Sequence, residues 1–221
     1  MRGFYAGRKI EHRRAGVLGY ALVADAAIFR WVMIAGFIAV VGVTLPHRLK
    51  AGTREKLDRR KEGTFMLATL RPAGAVLWLA IIAFMIDPAL MAWSSLPLPG
   101  WLRWSGAGFF AVAFALLMWA LPALGTNLTD TVDTRERHTL VTSGPYRWIR
   151  HPFYVAMALV TLGSALIAAN WWILLWTVVV FTLLTIRSRV EEEQLAARFG
   201  AVYLTYKNRT GKFFPRFRSQ R

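Results

Sequence analysis

Five long apolar blocks, separated by polar and basic segments, constrain this sequence more than any other feature. The blocks are residues 29–45, 73–91, 101–124, 153–168 and 171–186. A helix that crosses a membrane needs about 20 mostly apolar residues, with a range of about 17–25. Apolar residues make up 56% of the chain and charged residues 18%, whereas soluble domains have roughly 45–50% and about 25%. We therefore predict an all-α integral membrane protein with about five transmembrane helices.

The basic residues predict the orientation of these helices. Of the 28 Lys and Arg residues, 21 lie in segments 47–72, 125–152 and 187–221, which five spans place on one side. Because positive residues accumulate on the cytoplasmic side, we expect a cytoplasmic C-terminus, in a bacterial inner membrane. Six positive residues in segment 1–30 then lie outside. A sixth, short span through 15–28 would remove this conflict, but we expect an interfacial helix or an extension of the first span.

Segment 169–171 is the entire link between the last two apolar blocks, so these blocks must form an antiparallel helical hairpin. We divide the chain into 1–124, with three spans, and 125–221, with a polar loop, the hairpin and a charged tail. The two parts form a single integrated domain.

Composition excludes several kinds of site. There are no cysteines, so disulfides, thiolate nucleophiles and Cys-ligated metals are excluded. The four histidines show no HxxxH or HExxH spacing, which argues against a metal site. The net charge of +16 is explained by membrane topology and contact with anionic lipids, so we expect no nucleic-acid partner.

Segment 138–154, HTLVTSGPYRWIRHPFY, is the first of two informative motifs. Segment 143–145 predicts a turn, and Pro152 suits the first position of a helix. His151 then lies at the start of the fourth span, where backbone N–H groups and the helix dipole favour an anionic group. The alternative is an ordinary helix start with interfacial aromatic and basic residues.

Segment 187–195, RSRVEEEQL, is the second motif and lies just past the fifth span. Arg187 and Glu191 are four residues apart and share a helix face. The alternative is a solvated helix whose ion pairs contribute about 0.3–0.5 kcal/mol each. Because the hairpin returns the chain to the same membrane face, we expect His151 and Glu191 to converge on one cytoplasmic pocket. A helix end and a carboxylate together suit a zwitterionic, nucleotide-like ligand.

The order of these motifs, followed by Phe199-Gly200 and by Tyr203 and Tyr206, resembles the isoprenylcysteine carboxyl methyltransferase family over about residues 124–215. The resemblance implies an all-helical membrane fold with a cytosolic S-adenosylmethionine pocket. The cofactor-binding positions that it implies are His138, Thr139, Leu140, Val141, Tyr146, His151 and Glu191. The catalytic positions that it implies are Arg150, Arg187 and Glu191, with Arg187 beside the acceptor.

This chain departs from the family pattern at two positions. Ala156 replaces a common Gly, and Thr131 stands where a longer polar side chain is expected. Membrane sterol reductases share a related His-Pro corner, but Asn and Gly-Glu stand there in place of Phe153 and Val155-Ala156. We therefore expect S-adenosylmethionine as the cofactor and not NADPH.

The predicted function is methyl transfer from S-adenosylmethionine to a lipophilic acceptor that resembles an isoprenylcysteine carboxylate. One alternative is methyl transfer to a small thiol, an amine or a phospholipid headgroup. Another is a non-catalytic transporter or scaffold, although the inverted repeats typical of transporters are absent from the sequence. Membrane lipids are expected partners, and the sequence leaves the acceptor and the oligomeric state open.

Overall fold

The computed structural model describes residues 26–49, 64–124 and 140–216, which are almost entirely helical. No β-strand occurs among these residues, where only two isolated bridges pair extended backbone. The predicted all-α fold is confirmed. Segment 1–25, and with it most of the predicted interfacial helix, lies outside the described residues. The helices are α1 (Ala26–Leu49), α2 (Thr64–Ile86), α3 (Gly100–Leu124), α4 (Pro152–Ala168) and α5 (Trp171–Arg209).

The lengths of these helices match a membrane protein. Four of them, α1, α2, α3 and α5, are long and apolar enough to cross a membrane. The fifth, α4, is apolar but has 17 residues, at the lower end of the spanning range. In α5 the apolar part is 171–186, and a charged part begins at Arg187. Each helix overlaps one of the five predicted spans, while the number that crosses the membrane stays a prediction.

The second helix differs from its predicted bounds of 73–91. It begins at Thr64 and ends at Ile86, and a 3-10 helix, Pro88–Ser94, follows. A residue before proline is disfavoured in the α conformation, and Asp87 is extended, with φ −153° and ψ 116°. Its carboxylate accepts a hydrogen bond from the N–H of Ala89 at 2.9 Å. The Asp-Pro pair therefore ends α2 five residues before the apolar block does.

The predicted hairpin of α4 and α5 is confirmed, and a buried asparagine holds its turn. Ala169 takes the left-handed conformation, with φ 49° and ψ 54°. The side-chain oxygen of Asn170 accepts the N–H of Ile173 at 3.1 Å. Its side-chain nitrogen donates to the carbonyl of Met91 at 3.0 Å and to Ser94 Oγ at 2.8 Å. The turn is therefore tied to the connector that follows α2.

Two glycines let α3 and α4 pack closely. A Cβ atom on Gly106 would lie 2.6 Å from the carbonyl oxygen of Gly163, and one on Gly163 would lie 2.8 Å from that of Gly106. Small residues allow such close approach of helix backbones in membranes. Near the same end, Arg103 donates two hydrogen bonds to the carbonyl of Ile167, at 2.9 and 3.1 Å. These contacts fix the position of α4.

Candidate active site

The corner before α4 takes the conformation that its sequence predicts. Gly144 has φ +58°, a left-handed value that glycine adopts without strain, and it begins the 3-10 helix Gly144–Arg147. Tyr146 in this turn is buried. Burial raises the pKa of the Tyr146 phenol, and Tyr206 and Glu191 raise it further. The turn thus presents a neutral phenol to the residues described next.

His151 lies between two carboxylates of α5. It is the residue before the first helical position of α4, and Pro152 occupies that position. Its Nδ1 is 3.7 Å from Glu191 Oε2, and its Nε2 is 3.3 Å from Glu192 Oε1. The imidazole stacks on the Tyr154 ring, with centroids 5.3 Å apart and an interplanar angle of 9°. The structure therefore brings His151 and Glu191 together across the hairpin.

Glu191 has partners from both helices of the hairpin. The Tyr154 hydroxyl donates to Glu191 Oε1 at 2.5 Å, and Arg187 Nε lies 3.4 Å from the same oxygen. The Arg187 and Glu191 side chains are largely buried, with exposed fractions of 13% and 19%. The predicted i,i+4 pair is present, but it lies inside the site and not on a solvated helix face.

Glu192 is the most buried charged group of the site, and three basic side chains contact it. Two groups contact its Oε1 atom: Arg150 Nε donates to it at 2.8 Å, and His151 Nε2 lies 3.3 Å away. Lys207 Nζ lies 3.1 Å from the other oxygen, Oε2. Burial raises the pKa of Glu192, but hydrogen bonds from His151, Arg150 and Lys207 outweigh it and hold this pKa well below its ordinary value of 4.5. Glu192 is thus an ionised carboxylate at neutral pH.

Arg150 joins Glu192 to the end of α5. Its Nη1 donates to the carbonyls of Lys207 at 3.1 Å and Thr210 at 2.5 Å. Basic groups commonly satisfy the free carbonyls at a helix C-terminus. The guanidinium therefore holds the end of α5 against the corner before α4.

The segment after α5 folds back onto this corner. Gly200 interrupts α5 with φ 54° and ψ −131°. Beyond Arg209 the chain runs beside residues 148–151, where Arg150 N–H donates to the Gly211 carbonyl at 2.9 Å and His151 N–H donates to the Lys212 carbonyl at 3.1 Å. The backbone N–H of His151 is therefore already bonded to the Lys212 carbonyl.

The first turn of α4 has two N–H groups without an intrahelical acceptor, those of Phe153 and Tyr154. Pro152, at the first helical position, has no N–H group.

Aromatic side chains complete the surroundings of His151. Phe213 lies with its ring centroid 5.8 Å from the imidazole. The Tyr206 hydroxyl donates to the Tyr146 carbonyl at 2.7 Å. The Tyr203 ring centroid lies 6.0 Å from that of Tyr206. The aromatic and charged groups together form what we call the corner site: Tyr146, Arg150, His151, Tyr154, Arg187, Glu191, Glu192, Tyr203, Tyr206, Lys207 and Phe213.

The predicted site residues fall into three groups. Five of them belong to the corner site: Tyr146, Arg150, His151, Arg187 and Glu191. Leu140 and Val141 begin the described segment 140–216 and are half-buried, with no recorded polar contact to the corner site. His138, Thr139 and Thr131 lie outside the described residues.

Sequence reasoning missed Glu192 and Lys207. Glu192 had no assigned role, because one helical sequence does not show which of three consecutive glutamates points inward. Lys207 reaches Glu192 only because the chain folds back near Gly200. Tyr154 was part of the motif but had no assigned role. Within the described ranges, no group of three His, Asp or Glu side chains is arranged to hold a metal ion.

Known proteins are similar to the segment that carries most of this site. A family model described as phospholipid methyltransferase matches residues 101–202. The protein-S-isoprenylcysteine O-methyltransferase of Rattus norvegicus is 34% identical over 128 residues, which cover 56% of this chain and 44% of that protein. The chain is similar to the isoprenylcysteine carboxyl methyltransferases. The enzyme of the same name from Saccharomyces cerevisiae is 32% identical over 99 residues, 43% of this chain and 41% of the enzyme.

The likeness to isoprenylcysteine carboxyl methyltransferases extends to the fold. The solved structure of a eukaryotic intramembrane Ras methyltransferase of this kind superposes with a TM-score of 0.53 at 22% identity, covering 86% of this chain and 75% of that one. The predicted resemblance is confirmed. This chain spans less than half the length of the rat and yeast relatives. The cobalt-zinc-cadmium resistance protein CzcN of Cupriavidus metallidurans is also similar, at 29% identity over 63% of this chain and 62% of that protein.

Proposed function

We propose that this chain is a membrane methyltransferase that moves a methyl group from S-adenosylmethionine to a lipophilic acceptor with an isoprenylcysteine-like carboxylate. The observation that carries the proposal is the position of His151 between Glu191 and Glu192. This contact lies within the segment that matches methyltransferases. We propose further that the protein resides in a bacterial inner membrane and that the corner site faces the cytoplasm.

The groups of the corner site fit the parts of S-adenosylmethionine. The start of α4 offers the N–H groups of Phe153 and Tyr154 and the positive helix end, which suit a carboxylate. Glu191 offers an acceptor for an ammonium or for ribose hydroxyls. The aromatic rings of Tyr154 and Phe213 lie beside His151. They suit an adenine, which can stack on an aromatic ring, or a sulfonium, because a cation is attracted to a ring face. By the resemblance, His138, Thr139, Leu140 and Val141 supply the remaining contacts.

Bound S-adenosylmethionine supplies an electrophilic methyl group, whose C–S bond breaks as the acceptor oxygen bonds to carbon, leaving a methyl ester and a neutral thioether. A carboxylate acceptor is already ionised at pH 7, so the protein needs to move no proton. We assign Arg187 to orient that carboxylate by a charge-assisted hydrogen bond. Arg150 has its Nε and Nη1 engaged by protein groups, so we assign it to position the site.

The description of the matching family model, phospholipid methyltransferase, favours a second candidate acceptor, the amine of a phospholipid headgroup. An ammonium must lose a proton before it attacks a methyl group, so this reaction requires a base. His151 and Glu191 lie 3.7 Å apart and are the two candidates. A carboxylate acceptor therefore requires no base, whereas an amine acceptor requires His151 or Glu191 to remove a proton.

The test measures transfer of isotope-labelled methyl from S-adenosylmethionine by the purified protein in lipid vesicles. We expect label in an S-farnesyl cysteine derivative with a free carboxylate, recovered as a base-labile ester by mass spectrometry. The matched control is the carboxamide of the same derivative, which should stay unlabelled. Calorimetry should show binding of S-adenosylhomocysteine and no binding of NADPH.

Other outcomes contradict parts of the proposal. Label in phosphatidylethanolamine alone would replace the first acceptor class with the second. Absence of binding to both S-adenosylmethionine and S-adenosylhomocysteine would overturn the methyltransferase proposal.

A further inference from the structure

Tyr203 is a buried polar residue that the proposed reaction does not use. It lies in the last part of α5, after the interruption at Gly200, and 1% of its surface is exposed. Its hydroxyl has no hydrogen-bond partner among the residues that the structure describes. A buried hydroxyl without a partner is destabilising by about 1–3 kcal/mol, so this group requires an explanation.

Tyr203 lies at the corner site, because its ring packs beside that of Tyr206, with centroids 6.0 Å apart. Its phenol interacts electrostatically with Glu192, Arg150, Tyr206 and Glu191. Burial raises the pKa of Tyr203, Glu192 raises it further, and Arg150 opposes the rise. The phenol is therefore a neutral hydrogen-bond donor at every physiological pH.

The neighbouring tyrosine shows the difference between a structural and an unused hydroxyl. Tyr206 has its ring centroid 6.0 Å from that of Tyr203, and its hydroxyl donates to the Tyr146 carbonyl. The Tyr206 hydroxyl thus holds the corner before α4 in place. The Tyr203 hydroxyl has no such role in the described ranges, although its phenol interacts electrostatically with Glu192 and Arg150.

We propose that Tyr203 is a ligand-binding residue whose hydroxyl donates a hydrogen bond to an acceptor atom of the S-adenosyl ligand. This inference rests on the proposed function, because it names a further contact within the same site. The ligand atom would be an oxygen or ring nitrogen, since the phenol acts as a donor. Binding would then satisfy a hydroxyl that the described residues of the ligand-free protein leave buried without an acceptor.

The test compares Tyr203→Phe with the parent protein, using S-adenosylhomocysteine as the probe. We expect two effects of opposite sign. The ligand-free variant should unfold at the same temperature as the parent or higher, because the substitution removes an unsatisfied buried hydroxyl. Its dissociation constant for S-adenosylhomocysteine should rise about two- to tenfold, as expected for one lost hydrogen bond.

Two variants serve as controls. Tyr206→Phe removes a hydroxyl with a protein partner and should lower the unfolding temperature of the ligand-free protein. Thr205→Ala alters an exposed residue on the same helical segment and should leave ligand affinity unchanged. A structural role of the Tyr203 hydroxyl would make Tyr203→Phe behave like Tyr206→Phe.

The outcomes separate this inference from the proposed function. Equal affinity of the parent and Tyr203→Phe would overturn the inference while leaving the proposed function intact. A lower unfolding temperature of ligand-free Tyr203→Phe, or its failure to fold, would also overturn it, because the hydroxyl would then have a partner in the protein. A parent protein that does not bind S-adenosylhomocysteine would overturn the proposed function itself.

Discussion

Glu191 and Glu192 are adjacent in the sequence but have different surroundings. Glu191 contacts Tyr154, Arg187 and His151. The more buried Glu192 contacts Arg150, Lys207 and the other nitrogen of His151. We therefore expect Glu191 to meet a ligand and Glu192 to hold the site together. This division of roles leads to separate predictions for the two residues.

For Glu191→Gln we expect weaker binding of S-adenosylmethionine in a protein that still purifies folded. Loss of a charged hydrogen bond to a ligand costs about 1.5–3 kcal/mol, or roughly ten- to a hundredfold in affinity. Calorimetry measures this change. The matched control is Glu193→Gln, because Glu193 is exposed and has no recorded contact with the corner site. Equal affinities of Glu191→Gln and the parent, or a larger loss in Glu193→Gln, would remove Glu191 from the ligand site.

The low pKa of Glu192 predicts that the folded protein becomes less stable in acid. Because its pKa in the folded protein lies below the ordinary value of 4.5, its stabilising effect is complete above that value and decreases as the pH falls below it. Thermal unfolding of the parent between pH 7 and pH 3 should show this decrease. Glu192→Gln should be less stable at pH 7, by about 3–5 kcal/mol for a broken buried pair, and should show a smaller dependence on pH. Parallel pH profiles for the two proteins would contradict this prediction.

At the level of helices, the packing of α3 on α4 depends on the absence of a side chain at Gly106. For Gly106→Ala we expect destabilisation of about 1–3 kcal/mol, as in other overpacked cores, because the new Cβ would meet the Gly163 carbonyl. Gly108→Ala is the matched control, since a Cβ there would have no neighbour within 4 Å. Thermal unfolding in detergent measures both variants. An equally small effect of the two substitutions would show that α3 and α4 can separate without loss of stability.

The sequence predicts the helices and their hairpin but not how the chain folds back after α5. Apolar blocks of spanning length indicate α1 to α5. The very short link at residues 169–170 requires α4 and α5 to be neighbours, so the approach of His151 to Glu191 is predictable. The docking of Gly211 and Lys212 against residues 148–151 depends on tertiary contacts between distant segments, which no local pattern reveals. The inward direction of Glu192 depends on the same contacts.

Across the whole molecule, the orientation in the membrane stays a prediction that rests on the basic segments. The absence of cysteine from the chain allows single-cysteine labelling without background. We expect a membrane-impermeant maleimide added to intact cells to label Pro97→Cys, in the connector between α2 and α3, and to label Phe214→Cys only after permeabilisation. Both positions are exposed. The reverse pattern would place the C-terminus outside the cytoplasm.

The docking of residues 210–212 beside the corner before α4 also has a consequence for synthesis. A ribosome makes α4 and the apolar half of α5 before it makes Lys207, Thr210 and Lys212. During that interval Glu192 lacks Lys207, and Arg150 lacks the two carbonyls that it contacts in the complete structure. The nascent chain can therefore place its helices in the bilayer before the corner site exists, so we expect membrane insertion to come before completion of the site.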